Sequence, residues 1–147
     1  VWGVQRGRSR RTQRGKYLLW AARRPDPRSP QAAKRDFITS RDDARKIEYL
    51  WTVDLSIRPR ALVRAGELLF IAGMDKTVNP RDPDDPVNAT FEGRGPGMLV
   101  VASVRDGSSV ATMALPAPPV WNGMAATPGT LVLTTTKGEV LCYNAAR

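Results

Sequence analysis

The sequence predicts an all-β fold, and three observations carry that prediction. From Glu48 onward, short runs of Val, Leu, Ile, Thr and aromatic residues alternate with turn-forming residues. The pairs Asp106-Gly107 and Lys137-Gly138 fall between successive runs, where glycine supplies the positive φ of a tight turn. The third observation is a weak internal repeat, which also sets the architecture. No apolar run approaches the roughly 18 residues that a membrane-spanning helix needs.

Taken in order, residues 1–16 read as irregular, being rich in Gly, Arg and Ser without periodicity. Tyr17-Leu18-Leu19-Trp20-Ala21-Ala22 reads as one short buried strand. Residues 25–31 hold three prolines, which fix φ and remove donors, so they read as a loop. Residues 32–47 are polar with scattered apolar positions, and a short helix or a loop fits equally. Strands are then expected near 48–54, 60–64, 67–73, 98–104, 109–115, 120–127, 130–136 and 139–143.

Two stretches resemble two later ones. The run Ala61 to Phe70 matches Met124 to Leu133, each an apolar strand, a glycine turn and a second apolar strand. Gly97-Met98-Leu99-Val100-Val101-Ala102 matches Gly138-Glu139-Val140-Leu141-Cys142-Tyr143. Gly66 and Gly129 are 63 residues apart, whereas Gly97 and Gly138 are 41 apart. A 22-residue insertion between Gly66 and Gly97 reconciles the two, and residues 74–96 are the expected insertion. The underlying period of 41 falls in the range of about 40–45 residues for a four-stranded propeller blade. Residues 57–115 therefore read as one full blade with an inserted loop, and 120–143 as three strands of an incomplete final blade. Residues 48–54 read as the outer strand of a preceding blade, or as the strand that closes the ring. Residues 1–47 form a basic, irregular segment or the remnant of an earlier blade, and 48–147 the propeller part. About two blades cannot close a ring of about 4–8, so a C-terminal fragment of a longer propeller is expected.

The phrases Gly97-Met98-Leu99-Val100-Val101-Ala102-Ser103-Val104-Arg105-Asp106-Gly107-Ser108 and Leu131-Val132-Leu133-Thr134-Thr135-Thr136-Lys137-Gly138-Glu139-Val140-Leu141-Cys142-Tyr143 resemble the repeats of pyrroloquinoline-quinone-like (PQQ-like) β-propeller proteins of bacterial type. Pro118-Pro119-Val120-Trp121-Asn122-Gly123-Met124-Ala125-Ala126 resembles the entry to a final blade in that family, and Arg60 to Val63 and Phe91 to Arg94 fit the same group. The resemblance covers about residues 48–144. Ser103 stands where aspartate is commoner, and Ser108 where lysine is usual. The calcium ligands, quinone-stacking tryptophan and catalytic aspartate of quinoprotein dehydrogenases map onto no positions here. The resemblance thus implies a non-catalytic binding or scaffold module, with no PQQ or other cofactor held by these residues. Its expected partners are the remaining propeller blades or another protein. A quinone-dependent oxidoreductase whose active site lies outside this chain is the alternative.

Charge and composition narrow the chemistry. Net charge is +9, with 23 basic and 14 acidic residues. Residues 1–24 hold eight Lys or Arg and no acid. Arg6, Arg8, Arg10, Arg11 and Arg14 are the candidate anion-binding residues, and a nucleic-acid-binding arm is a further alternative. No recognition helix, zinc module or aromatic stacking motif stands beside them, so the run reads first as a solvated face. The chain has no histidine and one cysteine, Cys142, which removes His-based triads, most catalytic zinc sites and disulfide frameworks. Cys142 reads as a buried, inert thiol. Asp82-Pro83-Asp84-Asp85-Pro86 lacks calcium-loop spacing, and Gly93-Arg94-Gly95-Pro96-Gly97 lacks the Lys-Ser/Thr of a P-loop, so both read as plain loops. Trp51 and Trp121 are expected to pack between blades, with cofactor stacking as the sharper reading. The chain begins Val1-Trp2-Gly3 and its apolar run at 17–22 is too short for a signal peptide, so the compartment stays open; an upstream signal would make it periplasmic.

Overall fold

A computed structural model of the chain describes residues 1–6, 17–23, 48–75 and 96–145. They form ten strands and three antiparallel sheets, so the described residues are all-β as expected. The first sheet pairs β1 (Trp2–Arg6), β2 (Tyr17–Ala22) and β3 (Tyr49–Leu55) in that order. The middle sheet is a meander of β4 (Ile57–Ala65), β5 (Leu68–Asp75), β6 (Gly97–Ser103) and β7 (Ser109–Leu115). The last sheet follows with β8 (Pro119–Thr127), β9 (Thr130–Thr135) and β10 (Val140–Asn144).

Side-chain alternation explains why the sheets stack. Successive residues of a strand point to opposite faces. In the middle sheet, Leu62, Ile71 and Val100 lie opposite one another across three strands, and all join the cluster shared with the first sheet. Val63 and Phe70 face the other way, with Ala72 and Leu99, into the cluster shared with the last sheet. Both faces of the middle sheet are therefore covered. The first cluster centres on Leu19, Leu55, Ile57, Leu69 and Ile71, and the second on Ala72, Leu99, Leu115, Leu131 and Leu133. Each fully buried aliphatic side chain contributes about 1.5–3 kcal/mol.

The tight turns follow from backbone chemistry. Gly66 and Gly129 join β4 to β5 and β8 to β9 with φ of 57° and 81°, a region open to glycine at little cost. The internal repeat aligns these two glycines, but Gly66 is the first residue of its turn and Gly129 the second, so the hairpins superpose at a spacing of 62 residues rather than 63. In the turn from β6 to β7, the Ser108 amide and hydroxyl both donate to Asp106 Oδ1, at 3.0 and 2.7 Å. The Arg105 amide donates to Ser103 Oγ at 3.1 Å. Ser103 and Ser108 thus belong to one hydrogen-bonded turn around Asp106.

Several boundaries differ from expectation. Trp2–Arg6 is a strand rather than irregular chain, because Trp2 and Val4 alternate inward onto the first cluster while the backbone pairs with β2. The strand expected at 60–64 begins at Ile57 and runs through Pro59, which its position at a sheet edge permits. The strand expected at 48–54 is β3, hydrogen-bonded to β2. β5 extends to Asp75, into the expected insertion. The loop at 25–31, the helix-or-loop segment at 32–47 and most of the insertion lie outside the described residues.

Candidate functional site

A cleft of about 310 Å³ runs across the edge strand β4 of the middle sheet. Val4, Gln5 and Tyr17 of the first sheet form one wall, and Trp121 and Asn122 of β8 form the other. Arg58, Pro59, Arg60, Ala61 and Leu62 cross the floor, with Met74 of β5. The site thus gathers residues from all three sheets.

Two departures from regular pairing build it. β4 slips register between Pro59 and Ala61, so Arg60 is an extra residue in that strand. β8 slips between Pro119 and Met124, opposite Thr135 and Leu133, which leaves a wide bulge at 120–123. Bulges re-aim side chains and often sit beside functional sites. Arg60 and Asn122 each lie five residues before the last residue of their strand, so the two bulges stand at the same distance from their hairpin turns. Asn122 takes φ of 55°, and it is the only non-glycine residue with positive φ among the described residues. For most L-residues that conformation costs about 1–2 kcal/mol, and asparagine is among the few that adopt it readily.

Arg58 and Arg60 line the cleft, and no acidic residue stands among the described residues that line it. Arg60 Nη1 donates to the Pro119 carbonyl at 3.2 Å, which ties β4 to the entry of β8. Its guanidinium carbon lies 5.6 Å from the centre of the Trp121 ring, a cation–π distance. Burial lowers the Arg60 pKa from its ordinary value, because the charged form loses part of its hydration. Pro59 and the two arginines also blunt the β4 edge against pairing with another strand.

Other singled-out residues fare differently. Arg6 ends β1, and Arg8, Arg10, Arg11 and Arg14 lie outside the described residues. The acidic stretch 82–86 and the glycine-rich residues 93–95 also lie outside them, while Gly97 opens β6. Among the described residues, no three His, Cys, Asp or Glu side chains converge as metal ligands, and no helix is long and apolar enough to cross a membrane. Cys142 is exposed, not buried, because alternation in β10 turns Leu141 and Tyr143 inward and Cys142 outward.

The two tryptophans part company. Trp51 does pack between sheets: its indole donates to the Val104 carbonyl at 3.2 Å, and Trp2 reaches the same carbonyl at 3.5 Å. Trp121 does not, because the bulge turns it out until 72% of its surface is exposed. The cleft itself was not read from the sequence. Its one available signal was Trp121-Asn122-Gly123 inside a strand, where Asn-Gly favours positive φ and a break in pairing.

No protein-family model, curated protein or solved structure matches the chain.

Proposed function

We propose that the chain is a segment of a β-propeller of the PQQ-like repeat type, serving as a binding or scaffold module rather than as a catalyst. The observation that carries this reading is the sandwiching of a complete four-stranded meander between two further sheets that precede and follow it in the chain. Radial stacking of successive meanders is how propellers are built. The sheet order supports the same reading. β3 passes to β4, and β7 to β8, from the last strand of one sheet to the first strand of the next.

The outward faces support it too. On the last sheet, Ala125, Val132 and Cys142 lie opposite one another and Thr134 lies opposite Val140. Counted from the hairpin turns, these match Val63, Phe70, Val101, Ala72 and Leu99, the middle-sheet positions that point toward the last sheet. The outward face therefore repeats an interface position by position, without a charged residue among them. On the first sheet, Trp20 and Tyr49 meet edge to face at 5.8 Å on the side away from the middle sheet.

Electron microscopy of the natural protein, captured from its source with an antibody to residues 75–90, tests the reading. A disc of radially arranged sheets around a channel is expected. A particle without a channel refutes the propeller. Quinone- and calcium-dependent oxidation by that same material would instead favour the oxidoreductase alternative.

A further inference from the structure

The strand β7 ends the middle sheet, so among the described residues no strand lies beside its outer row of backbone N–H and C=O groups. Such an edge is a template for another strand, and proteins blunt it with charge, proline or a bulge. The other edges of the fold are treated in that way. β1 ends in Arg6, β3 carries Asp54, β4 carries Pro59 and three arginines, and β8 is broken by the bulge that follows Pro119. β10 lacks charge, but it is five residues long and begins directly after Glu139. β7 differs. It is seven residues long, and its one register shift falls at its start, where Val110 is the extra residue. From 111 to 115 it pairs with β6 without a break. No residue in 107–136 is charged, and β7 holds neither proline nor glycine. Residues 109–114 are all exposed, Val110 at 59% and Met113 at 40%.

We propose that β7 is the contact between two copies of this chain, paired antiparallel and edge to edge about a two-fold axis at Thr112. The strand's own sequence selects a second copy as the occupant. A two-fold axis normal to a sheet keeps each face on its own side, so a residue can meet only one of the same parity. An axis at Thr112 pairs the exposed residues 110–114 with one another and leaves the buried Leu115 outside the contact. Thr112 then meets Thr112 of the second copy, a favourable cross-strand pair. Met113 lies opposite Ala111, and Val110 opposite Ala114, so each larger apolar side chain meets a small one. The contact joins two four-stranded sheets into one, of a size ordinary for open sheets. β7 ends its sheet whether or not the sheets belong to a ring, so the inference stands apart from the propeller reading.

Analytical ultracentrifugation of the full chain tests it. The parent should sediment as a dimer that dissociates on dilution. Thr112→Lys and Thr112→Glu each set like charges directly opposite one another and should weaken the dimer about fivefold. An equimolar mixture of the two variants should regain the parent affinity, because opposite charges then face each other across the axis. Thr112 is exposed, so both variants should keep the circular dichroism spectrum of the parent. A second measurement reads the register directly, whatever other faces of the sheets associate. A nitroxide placed on Thr112→Cys, in a Cys142→Ser background, should show spin–spin broadening, since opposed Cβ atoms lie about 4.5–5.5 Å apart. The broadening should fade as unlabelled chain is added. A parent that stays monomeric up to about 1 mM, a dimer that both charged variants leave intact, a mixture that does not recover, or an unbroadened nitroxide spectrum overturns the proposal. None of these results bears on the presence of a channel in the electron micrographs, so the two readings fail separately.

Discussion

Replacing Gly107 by alanine tests whether the first and middle sheets stack as described. Gly107 has φ of 75°, and a Cβ built there would lie 2.6 Å from a Trp51 ring carbon and 3.0 Å from a Val53 methyl. The substitution therefore carries two costs. The left-handed backbone costs about 1–2 kcal/mol for alanine. The Trp51 ring must also move, which breaks its 3.2 Å bond to the Val104 carbonyl, and such a bond contributes about 0.5–1.5 kcal/mol. Packing lost as the ring shifts brings the whole effect to about 2–4 kcal/mol. Gly138 supplies the control, since its φ is 80° and nothing lies within 4 Å of its Cβ position. Gly138→Ala should cost only the backbone term, about 1–2 kcal/mol. Urea unfolding followed by circular dichroism and tryptophan emission measures both variants. In a Trp51→Ala background, Gly107→Ala should fall to the cost of Gly138→Ala, a coupling within the usual range of about 0.5–3 kcal/mol for residues in contact. Equal costs for the two glycines in the parent chain would refute the contact between Trp51 and the β6–β7 turn.

Three further outcomes are expected. Leu69→Ala and Leu133→Ala should each lose about 2–5 kcal/mol by urea titration, and because the residues sit in different clusters their effects should add within about 0.5 kcal/mol. The Ser108 amide holds the Asp106 carboxyl below its ordinary value, with the Ser108 hydroxyl second, so the folded pKa lies under the unfolded one. The resulting stabilisation is present above the unfolded pKa and is lost as pH falls through the folded pKa; carboxyl NMR shifts should show the low pKa, and Asp106→Asn should remove that part of the acid dependence. In the 147-residue chain alone, Cys142, exposed on β10, should react fully with a maleimide in native buffer, as read by mass spectrometry, whereas protection until urea is added would mean that another surface covers it.

The strands were legible because one period of two governs both burial and sequence. Leu69, Phe70, Ile71 and Ala72 are all apolar because both faces of β5 are covered, and such a run reads as a buried strand without reference to any neighbour. The hairpin glycines were equally plain, since few other residues take their φ. Sheet membership was less plain. β1 is five residues long and ends in arginine, and its pairing partner begins eleven residues later, so its two inward side chains gave no local signal. Cys142 was misplaced for a related reason. A β-branched or thiol side chain on an outward face looks like a buried one when the covering sheet is part of the pattern being read, and Cys142 sits where Val101 does in the middle sheet.

The cleft was illegible for a different physical reason. Regular pairing fixes the direction of every side chain by parity, so a reading based on alternation assigns Trp121 to an interface. A bulge changes parity, and its cause is spread over several residues. Pro119 cannot donate to the ladder, Asn122 accepts a left-handed φ, and Gly123 follows with no side chain of its own. In β4 the same break falls between Pro59 and Ala61, where proline again removes a donor. Each residue alone has an ordinary explanation as edge protection. Only their common place in the first strands of two successive sheets, with Arg60 of one bonded to Pro119 of the other, turns two local irregularities into one cleft. Where a repeat is otherwise regular, the positions at which adjacent copies break pairing together are where side chains are released from packing, and these are the positions able to meet a ligand.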